Sequence, residues 1–222
     1  MIWLLRYVVY SCLALGSAYD DELVTCGTVL KLSNAYEGSR IHSHDIKYGS
    51  GSGQQSVTAV TSSDDVNSHW QVYPQGYFLL IFYQFVFKPS IPLSALEGSC
   101  GRGDPIKCGG KLRLKHLTTG CFLHTHHFQA PLSRHNQEVS CFGSGAQSDS
   151  GDDWQLICDS EEWMESEAVR FKHVDTGVYL ALSGQQFGRP IHGQREVVGT
   201  DGLTNTGKWI AAEGVFMRRN KD

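Results

Sequence analysis

Short segments of alternating apolar and polar residues dominate the chain, and glycine-containing turns separate them. The segments Val29-Leu30-Lys31-Leu32 and Lys111-Leu112-Arg113-Leu114 alternate in this way, which is the period of a strand with one buried face. Long segments with the 3.6-residue period of an amphipathic helix are hard to find. The pattern therefore predicts an all-β fold made of many short strands.

A unit of similar spacing recurs three times along the chain. Each copy starts at a large apolar anchor, has a glycine six residues later, and closes with a tryptophan 38 or 40 residues after the anchor. The anchors and closing tryptophans, which we predict to form the repeat core, are Leu32, Trp70, Leu114, Trp154, Phe171 and Trp209. Such repetition indicates a fold built from three copies of one supersecondary unit.

Each copy can be divided into four short strands, the first before the glycine turn and the last at the tryptophan. One copy cannot bury its apolar face alone, whereas three copies around a pseudo-threefold axis can close into a barrel with a hairpin cap. We therefore expect a β-trefoil over residues 19–217, with repeats at about 24–72, 106–158 and 166–217.

Several motifs in these repeats resemble a known family. His42-Ser43-His44 and Asp152-Asp153-Trp154-Gln155 are similar to motifs of MIR repeats. Three further runs resemble the stromal cell-derived factor 2 family more closely: 102–109 (RGDPIKCG), 136–140 (NQEVS) and 213–217 (EGVFM). The resemblance implies a MIR β-trefoil in the lumen of the endoplasmic reticulum. It also implies association with a J-domain co-chaperone and BiP, and a role in keeping unfolded proteins from aggregating.

The first eighteen residues are typical of a secretory signal peptide. An apolar stretch leads into Gly16-Ser17-Ala18, whose small side chains suit a cleavage site, so we expect cleavage after Ala18. The apolar stretch is short and Arg6 interrupts it, which argues against a membrane anchor. We therefore expect a secretory-pathway protein with no transmembrane segment in the mature chain.

Residues 73–97 form an apolar insertion between the first two repeats, where the family has only a short connection. Its segment 77–87 is uncharged and almost entirely apolar, so it could be a membrane-touching or client-binding finger. A retained intron or another gene-model error is the interpretation we favour. The tail, residues 218–222, lacks a Lys/His-Asp-Glu-Leu retention signal. Lumenal retention is therefore implied by the resemblance alone, and secretion is the alternative.

Charge and motifs exclude several function classes. The net charge is −4, charged residues make up 19% of the chain, and no Lys/Arg run is present. A nucleic-acid partner is therefore not expected, because binding to phosphates requires a dense positive surface. No nucleophile elbow, phosphate loop or dinucleotide fingerprint occurs. We predict a protein that is not an enzyme and needs no cofactor.

Six cysteines remain once Cys12 of the signal peptide is set aside, an even number that suits disulfides in an oxidising compartment. Equivalent places in the repeats favour two pairs that each tie a repeat's beginning to its end. The third pair would face across a hairpin. The expected pairs are Cys26–Cys100, Cys108–Cys158 and Cys121–Cys141. Free buried thiols are the alternative, and the cysteine spacing is not typical of a zinc site.

Two histidine pairs are the candidate ligand-binding residues. His42 and His44, like His124 and His126, put two imidazoles on one face of a strand. The third repeat has Ala181-Leu182-Ser183 at the same place, so a threefold metal site cannot form, and we expect no metal. The aspartates before the tryptophans, including Asp152-Asp153, are interpreted as turn-forming residues.

The sequence therefore favours a non-catalytic co-chaperone component that binds a J-domain protein, BiP and unfolded proteins. The alternative is a lectin-like carbohydrate-binding module, because trefoils present three equivalent pockets for glycans.

Overall fold

The computed structural model describes residues 23–74, 100–144 and 149–218. The expected signal peptide, nearly all of the apolar insertion and the last residues of the tail lie outside this part of the chain. The described residues form an all-β fold, which confirms the predicted fold class. Short antiparallel strands account for its regular structure, together with short 3-10 helices.

Twelve strands are present in the described residues, and they fall into three four-strand units. Unit one contains β1 (Val29–Asn34), β2 (Arg40–Lys47), β3 (Gln55–Val60) and β4 (Trp70–Pro74). Unit two contains β5 (Lys111–His116), β6 (Phe122–Gln129), β7 (Gln137–Phe142) and β8 (Trp154–Ile157). Unit three contains β9 (Arg170–His173), β10 (Tyr179–Gln186), β11 (Arg195–Thr200) and β12 (Trp209–Val215).

The three units share one sheet that closes on itself. Within each unit the second and third strands form a hairpin, and the last strand of one unit pairs with the first strand of the next. The final strand, β12, returns to pair with β1. The third strands β3, β7 and β11 pair with one another. All twelve strands are therefore held in a single closed array.

The closing tryptophans lie in the centre of this array and are fully buried. Each indole N–H donates a hydrogen bond to the carbonyl of an aliphatic residue on the second strand of its own unit. The pairs are Trp70 to Ile41 (3.0 Å), Trp154 to Leu123 (2.9 Å) and Trp209 to Leu180 (2.9 Å). The buried N–H groups thus have acceptors, and the same bond fixes the tryptophan in every unit.

Glycine turns join the first two strands of each unit. Gly38, Gly120 and Gly177 have φ angles of 69°, 75° and 76°. Glycine adopts this left-handed conformation without steric cost, which explains its recurrence six residues after each anchor. Trp163 is also fully buried, although it lies outside the repeated pattern. Its ring packs edge-on against Phe171, with centroids 5.6 Å apart.

Three disulfides connect the described cysteines. They join Cys26 to Cys100, Cys108 to Cys158 and Cys121 to Cys141. The repeat spacing favoured the first two pairs, and the third is the pair expected to face across a hairpin. The first two connect the start of a unit to the segment that follows its last strand. The third spans the β6–β7 hairpin, where Leu123 pairs with Cys141. Within the described ranges, no helix has the length and apolar character needed to cross a bilayer.

Candidate functional site

The two histidine pairs lie at equivalent positions on β2 and β6. Because side chains two apart project from the same face of a strand, each pair lies side by side. The ring centroids are 4.8 Å apart for His42 and His44, and 4.2 Å apart for His124 and His126. The equivalent strand β10 has no histidine. The predicted ligand residues therefore form two separate clusters, one in unit one and one in unit two.

The cluster of unit one is a hydrogen-bonded chain that ends on a carboxylate. Nδ1 of His42 lies 2.8 Å from Oδ2 of Asp65, and its Nε2 lies 3.2 Å from Nδ1 of His44. The Ser68 hydroxyl donates to the same oxygen of Asp65 at 2.5 Å. Burial alone would raise the pKa of Asp65, but the hydrogen bonds from Ser68 and His42 outweigh burial and hold the pKa below its ordinary value.

Burial and a neighbouring imidazole act together on His44. Loss of solvent disfavours the charged imidazolium, and His42 adds electrostatic repulsion, so the pKa of His44 falls below its ordinary value. One neutral imidazole can donate from one ring nitrogen and accept at the other. The chain from Asp65 through His42 to His44 is satisfied with both rings neutral, so its geometry requires no bound ion.

The cluster of unit two has two carboxylates instead of one. Nδ1 of His124 lies 2.8 Å from Oδ1 of Asp152 and 3.6 Å from Oδ1 of Asp149. Nε2 of His126 lies 3.7 Å from Oδ2 of Asp149. His124 and Asp152 are buried, whereas the side chains of His126 and Asp149 are 40% and 48% exposed. The cluster is therefore acidic and open to solvent on one side.

The aspartates before the tryptophans do more than form turns. Asp149 caps a 3-10 helix with its side chain, which accepts a 2.8 Å hydrogen bond from the backbone N–H of Gly151. Asp65 and Asp152 are directed at imidazoles instead. The sequence interpretation of Asp65 and Asp152 as turn-forming residues was therefore incomplete. Asp65 and Asp149 both lie five residues before a closing tryptophan, a signal that could have identified them.

Buried carboxylates on the central strands are a further feature that sequence reasoning missed. Glu196 on β11 accepts hydrogen bonds from the Leu132 N–H at 2.7 Å and the Ser133 hydroxyl at 2.6 Å. Glu138 on β7 accepts from the Ser52 N–H and hydroxyl, and burial raises its pKa. Each carboxylate holds a loop of the preceding unit, so its role is structural.

Two shallow polar clefts flank the tip of the β6–β7 hairpin. Their volumes are about 350 Å³ and 380 Å³. Both are lined by His127, Phe128, Gln129 and Arg134. The larger of the two also contacts the loop at Ser50 and Gly51, and the other extends to β11. None of the four histidines singled out from the sequence lines either cleft.

Known proteins resemble this chain in sequence and in fold. The MIR domain model matches residues 22–168. The human stromal cell-derived factor 2-like protein 1 is 48% identical over 197 residues, which are 89% of this chain and 80% of that protein. The crystal structure of the SDF2-like protein from Arabidopsis thaliana is 37% identical and superposes with a TM-score of 0.78, covering 90% of this chain and all of that one.

This chain belongs to the stromal cell-derived factor 2 family of MIR-domain proteins. The resemblance stated from the sequence motifs is thereby confirmed. A Caenorhabditis elegans protein of unknown function has the same fold, with 61% identity and a TM-score of 0.76 over 89% of this chain. The name of the stromal cell-derived factor 2 family denotes no enzymatic activity. The three disulfides fit the oxidising environment of the secretory pathway.

Proposed function

We propose that this protein is a non-catalytic component of the chaperone system in the lumen of the endoplasmic reticulum. It binds a J-domain co-chaperone, through it BiP, and unfolded client proteins. The observation that carries the proposal is membership of the stromal cell-derived factor 2 family, with 48% identity to a human relative over 89% of the chain. The disulfides support a lumenal location, because such bonds persist in oxidising compartments.

The architecture that we propose for this role is a β-trefoil of three MIR repeats, one for each four-strand unit. The mutual pairing of β3, β7 and β11 supports a pseudo-threefold axis. The equivalent tryptophan hydrogen bonds in the three units support it as well. A closed array of this kind has few free strand edges, so a partner is bound through loops on its surface.

Exposed apolar side chains on adjoining loops are the surface best suited to a protein partner. Val66 and Leu117 are 68% and 53% exposed, and Leu117 N–H donates to the carbonyl of His69 at 2.9 Å. Tyr36 of unit one and Leu203 of unit three are 69% and 67% exposed. Partner sites are enriched in exposed apolar groups of this kind. We call the segments that carry Tyr36, Val66, Leu117 and Leu203 the apolar loops.

Affinity capture from microsomes tests the proposal directly. The mature protein, immobilised with its disulfides intact, should retain a J-domain protein and BiP, both identified by mass spectrometry. It should also reduce the aggregation of a chemically denatured client, measured by light scattering. Recovery of neither a J-domain protein nor BiP would contradict the proposed function.

A pair of variants locates the binding surface. Val66→Asp combined with Leu117→Asp should reduce recovery of the J-domain protein at least about tenfold, because charge replaces two apolar contacts. Phe128→Asp serves as the matched control, since Phe128 is an exposed apolar residue on the β6–β7 hairpin. Equal loss in both variants would reject the apolar loops as the specific surface while leaving the function itself intact.

A lectin-like activity is the second candidate function. The cleft of about 350 Å³ beside the β6–β7 hairpin supports it, because an aromatic ring there accompanies polar groups able to bind hydroxyls. Its lining includes Phe128, Arg134, Asn136 and Asp201. A glycan array should then give binding that Phe128→Ala abolishes. Signals no stronger than those of an unrelated β protein would end this candidate.

A further inference from the structure

Unit two brings together three side chains with the donor atoms of a transition-metal site. Each of His124, His126 and Asp149 offers one ligand atom, and these atoms lie within 4.8 Å of one another. His124 and His126 come from β6, and Asp149 comes from the loop before β8. Imidazole nitrogen and carboxylate oxygen are ligands that Zn²⁺ and related divalent ions accept.

The distances suit one ion between these atoms. Ligands at about 2.0–2.1 Å from a tetrahedral Zn²⁺ lie roughly 3.3 Å from each other. Here Oδ1 of Asp149 lies 3.6 Å from Nδ1 of His124, and its Oδ2 lies 3.7 Å from Nε2 of His126. One donor atom of each residue lies within 4.8 Å of the other two, so small side-chain movements would bring the three to coordination distance. The side chains of His126 and Asp149 are partly exposed, which leaves an entry path for the ion.

The local charge also favours a cation. With neutral imidazoles, Asp149 and Asp152 give the cluster two negative charges, and Asp152 lies 2.8 Å from Nδ1 of His124. If Nδ1 binds the ion, its proton moves to Nε2 of the same ring. Nε2 is buried and has no hydrogen-bond partner among the described residues, so the change of tautomer breaks no existing bond there. The contact of Nδ1 with Asp152 would give way to the metal bond, and the Asp152 carboxylate would stay beside the site as a negative charge.

The loop that carries Asp149 approaches the imidazoles closely because Gly151 has no side chain. A Cβ on Gly151 would lie 2.3 Å from Cε1 of His124 and 2.8 Å from Cε1 of His126. The N–H of Gly151 in turn holds Asp149 through the 2.8 Å cap, which fixes one carboxylate oxygen. The backbone and both rings are thus packed in the arrangement that places the three donors together.

We propose that His124, His126 and Asp149, with Asp152 beside them, bind one divalent transition-metal ion of the Zn²⁺ class. The sequence expectation of no metal rested on the missing histidines of the third unit. That argument excludes only a threefold site, since a single unit can supply all of these ligands. In unit one, the hydrogen bond between His42 and His44 already satisfies the rings, and that unit has Ser68 where unit two has Asp152.

Titration calorimetry with ZnCl₂ tests the proposal on the mature, disulfide-bonded protein purified without a histidine tag. We expect one Zn²⁺ bound per chain in the unmodified protein. His126→Gln and Asp149→Asn should each weaken binding more than about tenfold, because each removes one ligand. His126 is partly exposed, and asparagine retains the cap oxygen, so both variants should fold, as circular dichroism can verify.

His44→Gln is the matched control, because His44 occupies the position in unit one that His126 occupies in unit two. It should bind Zn²⁺ with unchanged affinity and stoichiometry. The thermal midpoint of the unmodified protein should rise on addition of Zn²⁺ and return after a chelator, whereas that of His126→Gln should not move. No measurable binding, or equal weakening by His44→Gln, would overturn the site.

Discussion

Nε2 of His116 lies 2.8 Å from the carbonyl oxygen of Asn67, so the first strand of unit two is tied to the 3-10 helix Val66–Ser68 of unit one. The other units repeat this relationship. His173 Nε2 lies 3.1 Å from Gly151 O, and Asn34 Nδ2 lies 2.7 Å from Thr206 O. Each acceptor is the middle residue of a 3-10 helix. Unit two therefore holds unit one, unit three holds unit two, and unit one holds unit three.

Replacing His116 should test the energetic weight of this link. His116→Ala leaves the buried carbonyl of Asn67 without its donor, so we expect a loss of about 1–3 kcal/mol of unfolding free energy. His116→Asn should cost less, because Asn34 makes the equivalent bond in unit one. Urea denaturation measures both values. The exposed residue His135 provides a control, since His135→Ala should leave the midpoint unchanged.

Stability should fall as the solution becomes mildly acidic. Burial holds the pKa of His116 and of His173 below the ordinary value of 6.5, although their carbonyl partners oppose this. The unfolded chain therefore takes up these protons at a higher pH than the folded one. The stabilisation is complete above about pH 6.5 and is lost as the pH falls from there toward the depressed folded pKa.

Urea midpoints measured at several values between about pH 7.5 and pH 5 should show this decline. The double variant His116→Asn, His173→Asn lacks both titrating groups and should show a shallower slope. An unchanged slope would assign the pH dependence to other groups.

The disulfides should contribute unequally. In the loop-entropy description, the 50-residue separation of Cys108 and Cys158 corresponds to about 4 kcal/mol, and the 20-residue separation of Cys121 and Cys141 to about 3 kcal/mol. Replacing each pair by alanine and measuring urea unfolding gives the two costs. Mass spectrometry of the unreduced protein checks that the remaining disulfides are intact. A larger cost for the hairpin pair would contradict this ranking.

A second set of contacts also runs from each unit to the next, and one of them is ionic. Gln55 Nε2 donates to Thr119 Oγ1 at 2.9 Å, and Gln137 Nε2 donates to Thr176 Oγ1 at 3.0 Å. The third pair is Arg195 with Glu37, at 2.7 Å. Arg195→Ala should cost about 1 kcal/mol, since both side chains are partly exposed.

The double variant Arg195→Gln, Glu37→Thr would place here the Gln–Thr hydrogen bond that joins the other units. We expect this double variant to recover most of the stability lost in Arg195→Ala, as measured by thermal unfolding. If the double variant lost more unfolding free energy than its two single variants together, the contacts would not be interchangeable.

The repeat spacing predicted those parts of the fold that each unit builds by itself. The anchors, such as Leu32, and the closing tryptophans are buried, and the glycine turns have the conformation that only glycine adopts freely. The pairs Cys26–Cys100 and Cys108–Cys158 follow the same logic, because their members occupy equivalent places in the first two units. These features depend on short-range pattern and symmetry, which the sequence displays directly.

Contacts between units were not predictable in this way. His116 and Asn67 are 49 residues apart, and nothing in either residue indicates the other. The cluster of unit two was missed for a related reason. Asp149 and His126 meet only because the loop before β8 folds against β6. Asp152 is not shared between the units, since unit one has Ser68 at that position, so the repeat pattern does not indicate it. Trp163 belongs to no unit and gave no periodic signal.

The pairing of β1 with β12 has a consequence for how the chain is made. Val29 pairs with Val215, and this is the most extensive of the three pairings of β1. During vectorial synthesis the first strand must wait until all three units have been made before its last neighbour exists. Until then the nascent β1 presents an open edge to any other strand nearby. Closure of the barrel therefore depends on β12, and a premature stop codon anywhere upstream of β12 yields a product that cannot close.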